Sequence, residues 1–242
     1  MNPEAMKPYG LALLDYYNGN SEAIFTIHRS DGEISDRPAS IFFRTITDIR
    51  IEQVALESCR GSVLDVGAGT GLHSLYLQNQ GLSVCAIDIS PEACEIMRKR
   101  GINNVHCTDI LDFVAEPFDT LLVLGRTIGM VENTDGLDFF LKAIHRLVKQ
   151  DGQVLLNSVD VTCTSNPIDL AYREANRQAG RYIGEIRMYF EYKGLKGPVH
   201  GWLHIDSETL ADHSDEASWS CHILVKEEDG NYLAKLTKKD VY

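Results

Sequence analysis

Three glycines at alternate positions mark the stretch of this sequence that is best suited to chemistry. Gly67, Gly69 and Gly71 follow a short apolar run at residues 63–66, and a helical pattern of leucines begins directly after them. A glycine turn between a strand and a helix lets a ligand approach the backbone closely. It also directs the unpaired N–H groups of the helix start at that ligand. The stretch therefore predicts a site for an adenosyl-type ligand.

Polar residues also stand at the ends of the neighbouring apolar runs. In open parallel sheets, ligands bind beyond the carboxyl ends of the strands, so residues at these ends are the informative ones. They are Asp65, Asp88, Asp109, Gly125, Arg126, Thr127 and Asp160. We expect this set to lie at one edge of a sheet.

The elements that must position these residues alternate regularly along the chain. Apolar runs that read as strands lie at residues 63–66, 83–87, 104–107, 118–124 and 153–159, and helical patterns separate most of them. Such alternation predicts a doubly wound α/β fold with a parallel sheet. Two further strands, at residues 218–226 and 232–237, bring the expected sheet to seven strands, most of them parallel, with a final antiparallel hairpin.

Two segments fall outside the alternation. Residues 1–60 predict a cap, with a short helix at 10–17, a hairpin from 23–28 to 33–35 and a helix within 45–58. An insertion at about 163–206 predicts a lid made of a polar helix and an antiparallel hairpin of residues 185–192 and 199–206. A short helix should follow, with Ser207 as its N-cap. The predicted organisation is a cap over 1–60 and a core over 61–242 that contains the lid.

Composition excludes several classes of protein. The formal net charge is −12, which disfavours a nucleic-acid partner. The six cysteines form no C-x-x-C pair, so we expect neither a metal site nor a disulfide framework. No stretch approaches the roughly 18 apolar residues of a membrane span. These features predict a soluble, cytoplasmic protein with no membrane partner.

The glycine spacing distinguishes between nucleotide ligands. A dinucleotide fingerprint is G-x-G-x-x-G, whereas here the glycines stand at 67, 69 and 71, and Leu72 follows. Together with Asp65, the stretch resembles motif I of the class I S-adenosylmethionine-dependent methyltransferases, D/E-x-G-x-G-x-G. The resemblance covers residues 60–160 well and 207–240 loosely. Residues 147–152 are similar to the family's L-K-P-G-G stretch, although Gln150 and Asp151 replace its proline and first glycine.

The resemblance implies a Rossmann-like methyltransferase fold, S-adenosylmethionine as cofactor and S-adenosylhomocysteine as product, with no metal. It implies that Asp88 accepts hydrogen bonds from the ribose hydroxyls, and that Asp109 lies near the adenine amino group. The predicted cofactor-binding residues are Asp65, Gly67, Ala68, Gly69, Gly71, Asp88, Ile89, Asp109, Ile110, Gly125 and Arg44. Arg44 and Arg126 are the cationic candidates for a carboxylate of the cofactor or of an acidic substrate, or else they form surface ion pairs.

Methyl transfer from a sulfonium is an in-line displacement that needs alignment and exclusion of water. A hydroxyl acceptor also needs a base, so the catalytic residue depends on the substrate. The candidates for that base are His73, His200 and His204, and a packing role competes with catalysis for His73. The predicted substrate-binding residues are Arg126, Thr127, Tyr189, Tyr192 and Trp202. Strand alternation allows only one face of the lid hairpin to line a pocket.

The residues after the fourth predicted strand narrow the range of possible methyl acceptors. They are Gly125-Arg-Thr-Ile-Gly129, and the (D/N)-P-P-(Y/F) motif of the enzymes that methylate amino groups of DNA and glutamine is missing. The favoured hypothesis is a methyltransferase that acts on an N or O atom of a small molecule. The alternatives are a protein or peptide methyltransferase, a dinucleotide oxidoreductase and a catalytically silent S-adenosylmethionine-binding module.

Overall fold

The structure is a computed structural model of the 242-residue chain, and it describes residues 1–46 and 49–239. The helices are α1 (Pro3–Tyr17), α2 (Arg50–Glu57), α3 (Leu72–Asn79), α4 (Pro91–Lys99), α5 (Thr134–Ala143), α6 (Pro167–Gln178) and α7 (Ser207–Glu216). The strands are β1 (Ile24–Arg29), β2 (Ile34–Pro38), β3 (Ser62–Val66), β4 (Ser83–Asp88), β5 (Val105–Cys107), β6 (Phe118–Val123), β7 (Val148–Val159), β8 (Glu185–Tyr192), β9 (Leu195–Lys196), β10 (His200–Leu203), β11 (Trp219–Lys226) and β12 (Asn231–Lys238).

The main sheet has seven strands in the order β11-β12-β7-β6-β3-β4-β5. β3 pairs with β4, β4 with β5, and β6 with β7 in parallel, whereas β12 runs antiparallel to both β7 and β11. The central strands are buried on both faces, as is typical of parallel sheets covered by helices. The predicted α/β fold with a mostly parallel seven-stranded sheet and a final antiparallel hairpin is confirmed.

A second, antiparallel sheet has the order β10-β8-β1-β2, with β9 paired to β8. The sequence predicts the N-terminal hairpin of β1 and β2 and the strands of the insertion. It does not predict that these two groups of strands form one sheet. In the register of β1 with β8, Ile27 lies opposite Phe190 and His28 lies opposite Tyr189. The predicted partner of β8 was the strand at 199–206, and β10 does lie next to β8 in the sheet, although it ends at Leu203. The two-residue β9, directly after the turn, also pairs with β8.

The chain forms two compact units, Met1–Val114 with Arg187–His200, and Ala115–Ile186 with Gly201–Tyr242. The predicted division into a cap over 1–60 and a core over 61–242 stays a prediction. Within the described residues, no helix combines the length and the apolar character that a bilayer span requires.

Two helix starts differ from the prediction. Helix α1 begins at Pro3 rather than at residue 10, because the side chain of Asn2 caps it and proline suits the first turn. Asp206, and not Ser207, is the N-cap of α7, since its carboxylate accepts hydrogen bonds from the amides of Glu208 and Thr209. A carboxylate at this position also interacts favourably with the helix dipole.

Candidate functional site

The glycine turn lies between β3 and α3, in the first unit. Gly67, Gly69 and Gly71 have φ angles of 62°, 56° and 76°, in the left-handed region that favours glycine. The space that a side chain would occupy at Gly71 is already filled, because a Cβ there would lie 2.2 Å from Cδ1 of Ile102. The same space at Gly69 is open, because only the hydroxyl of Tyr9 lies within 4 Å of the position of a Cβ. The turn is therefore a cradle that a ligand can approach at Gly69.

Asp88 ends β4 beside this cradle. Its Oδ2 accepts a hydrogen bond from the Gly69 amide at 2.8 Å, and its Oδ1 accepts one from the Ser90 amide at 2.8 Å. Burial raises the pKa of the Asp88 carboxyl, and the amides of Ser90 and Gly69 offset part of that rise. Each carboxylate oxygen has a further lone pair, so Asp88 can accept hydrogen bonds from ligand hydroxyls.

Asp65 is fully enclosed below the turn. Its Oδ2 accepts a 2.6 Å hydrogen bond from the hydroxyl of Ser74, in the first turns of α3. Burial raises the pKa of Asp65, although the charge of His73 and the hydrogen bonds from Ser74 act in the opposite direction. The carboxylate thus joins β3 to α3 and fixes the turn between them. Its predicted contact with the cofactor stays a prediction.

Arg44, Glu52 and His73 form a charged cluster in the same unit. Arg44 donates from one terminal nitrogen to Glu52 and from the other to the carbonyl of Ile41 at 3.1 Å, while Nε2 of His73 lies 3.3 Å from Oε2 of Glu52. Burial alone would raise the pKa of Glu52, but His73 and Arg44 outweigh it and hold that pKa below its ordinary value. Arg44 and His73 therefore have a carboxylate partner within the protein, and their predicted ligand and catalytic roles stay predictions.

Asp109 follows β5, the neighbour of β4, and Asp88 pairs with Cys107 in the register of these strands. Oδ1 of Asp109 accepts a hydrogen bond from the amide of Leu111 at 2.9 Å, and Oδ2 lies 3.3 Å from the amino group of Met1. Ile110 is buried beside it. Asp88 and Asp109 thus lie at the carboxyl ends of adjacent parallel strands, as the strand pattern predicts.

Tyr9 is a residue at this site that the sequence did not identify. Its hydroxyl oxygen lies 3.5 Å from the position of a Cβ on Gly69. Burial, and then the negative charge of Asp88, raise the pKa of Tyr9 well above its ordinary value. No motif connects Tyr9 with the glycine turn, and the predicted helix began one residue after it.

The loop after β6 belongs to the second unit. Gly125 has a φ of 71°, and Arg126 adopts a φ of 60°, which is rare for a residue with a side chain. The amide of Arg126 donates to Oδ1 of Asn157 at 2.9 Å, and its guanidinium donates to Oδ1 of Asn231 at 2.8 and 3.1 Å. The hydroxyl of Thr127 donates to the carbonyl of Leu124 at 2.6 Å. The loop is thus held in one conformation by neighbouring side chains.

Trp202 and His204 lie in this second unit as well. A Cβ on Gly129 would lie 2.1 Å from Nε1 of Trp202, so the indole occupies the space beside that glycine. Burial, and then the charge of Arg126, lower the pKa of His204 to about 4. The imidazole of His204 is therefore neutral at pH 7. It lies one residue beyond β10, so the expected shared strand face of His200, Trp202 and His204 is not formed as one regular strand.

The aromatic residues of β8 divide between two faces, as alternation predicts. Phe190 and Tyr192 are buried, whereas Tyr189 stacks on His28 with ring centroids 4.5 Å apart. The hydroxyl of Tyr192 donates to Asp15 at 2.8 Å. Tyr189 and Tyr192 both have packing partners within the protein, and their predicted substrate contacts stay predictions.

His200 is buried, and its ring packs edge-on against Phe190 with centroids 5.1 Å apart. Nδ1 of His200 lies 3.3 Å from the carbonyl of Pro198. Across residues 1–46 and 49–239, no group of three or more histidine, cysteine or acidic side chains is arranged to hold a metal ion.

Comparison with known proteins agrees with this geometry. The methyltransferase domain family matches residues 64–156. A curated ubiquinone biosynthesis O-methyltransferase from Xylella fastidiosa (strain 9a5c) is 32% identical over 119 residues, which cover 46% of this chain and 46% of that protein. The chain thus spans about half the length of the curated relatives it matches.

Two solved structures extend the comparison to the whole chain. A SAM-dependent methyltransferase from Bacteroides fragilis, in complex with S-adenosyl-L-homocysteine, has a TM-score of 0.87 and 29% identity, covering 99% of this chain and 98% of that one. An S-adenosylmethionine-dependent methyltransferase from Clostridium acetobutylicum ATCC 824 has a TM-score of 0.58 and 15% identity, covering 80% and 94%, and shares the fold.

The seven-stranded sheet with its closing antiparallel hairpin and glycine turn defines a Rossmann-like methyltransferase fold. The methyltransferase domain that matches residues 64–156 and the likeness of the whole chain to the Bacteroides fragilis enzyme agree with this fold.

Proposed function

We propose that this protein binds S-adenosylmethionine at the glycine turn and transfers its methyl group to an oxygen or nitrogen atom of a small molecule. The observation that carries the proposal is the Asp88 carboxylate, held at the end of β4 by the amides of Gly69 and Ser90. The Bacteroides fragilis structure supports it, because that protein was solved with S-adenosyl-L-homocysteine and is similar over nearly the whole chain.

The residues at the turn fit such a cofactor. Gly69 leaves open the space that a side chain would fill, and Asp88 supplies acceptors for a pair of ribose hydroxyls. Asp109 and Ile110 lie at the end of the adjacent strand, where a polar and an apolar group suit an adenine ring. When bound, the cofactor supplies a methyl group that its positive sulfur has made electrophilic. The work of the protein is then to align the two reactants and exclude water.

The acceptor is proposed to be a hydroxyl of a small molecule. The curated relatives are named ubiquinone biosynthesis O-methyltransferases, and this favours oxygen over nitrogen. A hydroxyl must lose its proton during transfer, so a base is needed, and the candidates stay the predicted His73, His200 and His204. The predicted cytoplasmic location stays a prediction.

The proposal is tested by calorimetry with S-adenosylhomocysteine and with NADH. We expect the wild type to bind S-adenosylhomocysteine and not NADH. The Asp88→Ala variant should lose at least tenfold in affinity, because a hydrogen bond to a charged group contributes about 1.5–3 kcal/mol. The control is Asp212→Ala, which removes an exposed carboxylate on α7 and should bind like the wild type.

The same titrations at different pH values test the charge on Asp88. Burial raises the pKa of this carboxyl, so affinity should fall as the pH is lowered and the carboxylate takes up a proton. Unchanged affinity of Asp88→Ala would refute the ribose-binding role, and preference for NADH would refute the proposed function.

A further inference from the structure

We propose that Tyr9 is a further binding residue for the methyl donor, with its hydroxyl reaching from α1 over Gly69 to hydrogen-bond the donor. The inference rests on the proposed function and adds a contact that lies outside the sequence motifs. Its starting point is the 3.5 Å between the Tyr9 hydroxyl oxygen and the position of a Cβ on Gly69. A ligand that lies on the cradle at Gly69 must therefore pass beside this hydroxyl.

Helix α1 is held firmly in the position that places Tyr9 there. Gly10 packs so closely on the start of α4 that a Cβ would lie 2.5 Å from Oγ of Ser90 and 2.7 Å from Oε2 of Glu92. One turn away, Nζ of Lys7 forms an ion pair with the buried Glu92, at 2.5 Å from Oε1. Helix α4 begins at Pro91, three residues after Asp88. The position of Tyr9 relative to Asp88 is thus fixed by direct packing.

The ring of Tyr9 is fixed as well. It packs edge-on against Phe25 and Phe42, with centroids 5.4 and 5.1 Å apart, and lies 6.0 Å from the ring of Phe190. The carbonyl of Phe42 accepts a hydrogen bond from the hydroxyl of Thr70, which belongs to the glycine turn. These four rings form an apolar wall beside the cradle, and such a wall excludes water from the donor as methyl transfer requires.

The hydroxyl of Tyr9 is left for a ligand. No hydrogen bond joins it to the described residues, although its ring packs against three phenylalanine rings. Tyr9 is half-buried, so its hydroxyl can donate a hydrogen bond to a polar group of a ligand on the cradle. Burial and the charge of Asp88 raise the pKa of Tyr9, so it stays neutral and serves as a hydrogen-bonding group and not as a base.

The test compares the binding of S-adenosylhomocysteine by the wild type, Tyr9→Phe and Tyr16→Phe. Tyr9→Phe keeps the four-ring wall and removes only the hydroxyl, so we expect a loss of about three- to tenfold in affinity with an unchanged melting temperature. Tyr16→Phe is the matched control, because Tyr16 lies on the same helix and packs against Phe43 with centroids 4.8 Å apart. It should bind like the wild type.

The outcomes separate the two proposals. Wild-type affinity in Tyr9→Phe, with binding intact in the wild type, would overturn the role of Tyr9 and leave the proposed function standing. A weaker affinity that is accompanied by a lower melting temperature would assign Tyr9 a structural role and also overturn the inference. Failure of the wild type to bind S-adenosylhomocysteine would overturn the proposed function itself.

Discussion

The substitution Gly71→Ala tests whether the cradle depends on close packing as well as on backbone conformation. Gly71 has a φ of 76°, and a left-handed conformation costs a residue with a side chain roughly 1–2 kcal/mol. The new Cβ would also lie 2.2 Å from Cδ1 of Ile102 and 2.9 Å from Cγ of Met97, both in the buried core. Overpacking of this kind costs about 1–3 kcal/mol. The free energy of unfolding should therefore fall by about 2–5 kcal/mol.

A second glycine separates the conformational cost from the packing cost of adding a Cβ. Gly81 has a φ of 87°, but no atom lies within 4 Å of the Cβ that an alanine would add. Gly81→Ala should show only the conformational cost, so urea unfolding should find Gly71→Ala less stable than Gly81→Ala by about 1–3 kcal/mol. Ile102→Val removes the clashing Cδ1, and in a double-mutant cycle it should recover part of the loss in Gly71→Ala. Equal stability of the two alanine variants, or simple additivity in the cycle, would refute the packing argument.

Two further predictions concern charges in the two units. Glu52→Gln leaves Arg44 and His73 without their shared carboxylate, so urea unfolding should show a loss of about 2–4 kcal/mol in the free energy of unfolding. This is a little below the usual cost of breaking a buried ion pair, because Arg44 is partly exposed. A loss below about 0.5 kcal/mol would contradict the prediction. His204 takes up its proton at about pH 4 in the folded chain and near 6.5 when unfolded, so it should make stability fall between those values as the pH is lowered. The decrease should be about 3 kcal/mol, should shrink in His204→Gln, and should persist in the exposed control His222→Gln.

The part of the fold that the sequence predicts is the part built from local patterns. The run before Gly67, the helix start at Ser90-Pro91 and the buried strand at 118–123 all lie in short windows, and each window contains both the hydrophobic period and its terminating residues. The candidate site residues Asp88 and Asp109 follow from the same windows, because they stand where strands end. Local information therefore suffices for the proposed site at the glycine turn.

The parts that the sequence does not predict depend on contacts between distant residues. The pairing of Thr26 with Glu191 joins two strands more than 160 residues apart, and no turn or motif specifies it. Helix α1 contains Pro8 and Gly10, which argue against a helix locally, and Gly10 instead packs closely on the start of α4. Tyr9 stands between them, so the residue proposed to contact the donor is hidden in the segment whose local signal is weakest.

The loop after β6 shows how packing against a distant residue limits which side chains this loop can hold. The resemblance stated from the sequence would allow a proline-rich motif here, as in the enzymes that methylate amino groups of DNA and glutamine, whereas Gly129 stands with the indole of Trp202 in the space that a Cβ would fill. Any side chain at residue 129 would displace Trp202, and the left-handed Arg126 is tied to Asn157 and Asn231. The loop is thus shaped by an indole 73 positions later in the chain and not by a local motif. Under the proposed function the sulfonium already activates the methyl group, so acceptor recognition requires no fixed catalytic motif at this loop, and specificity is free to depend on such long-range packing.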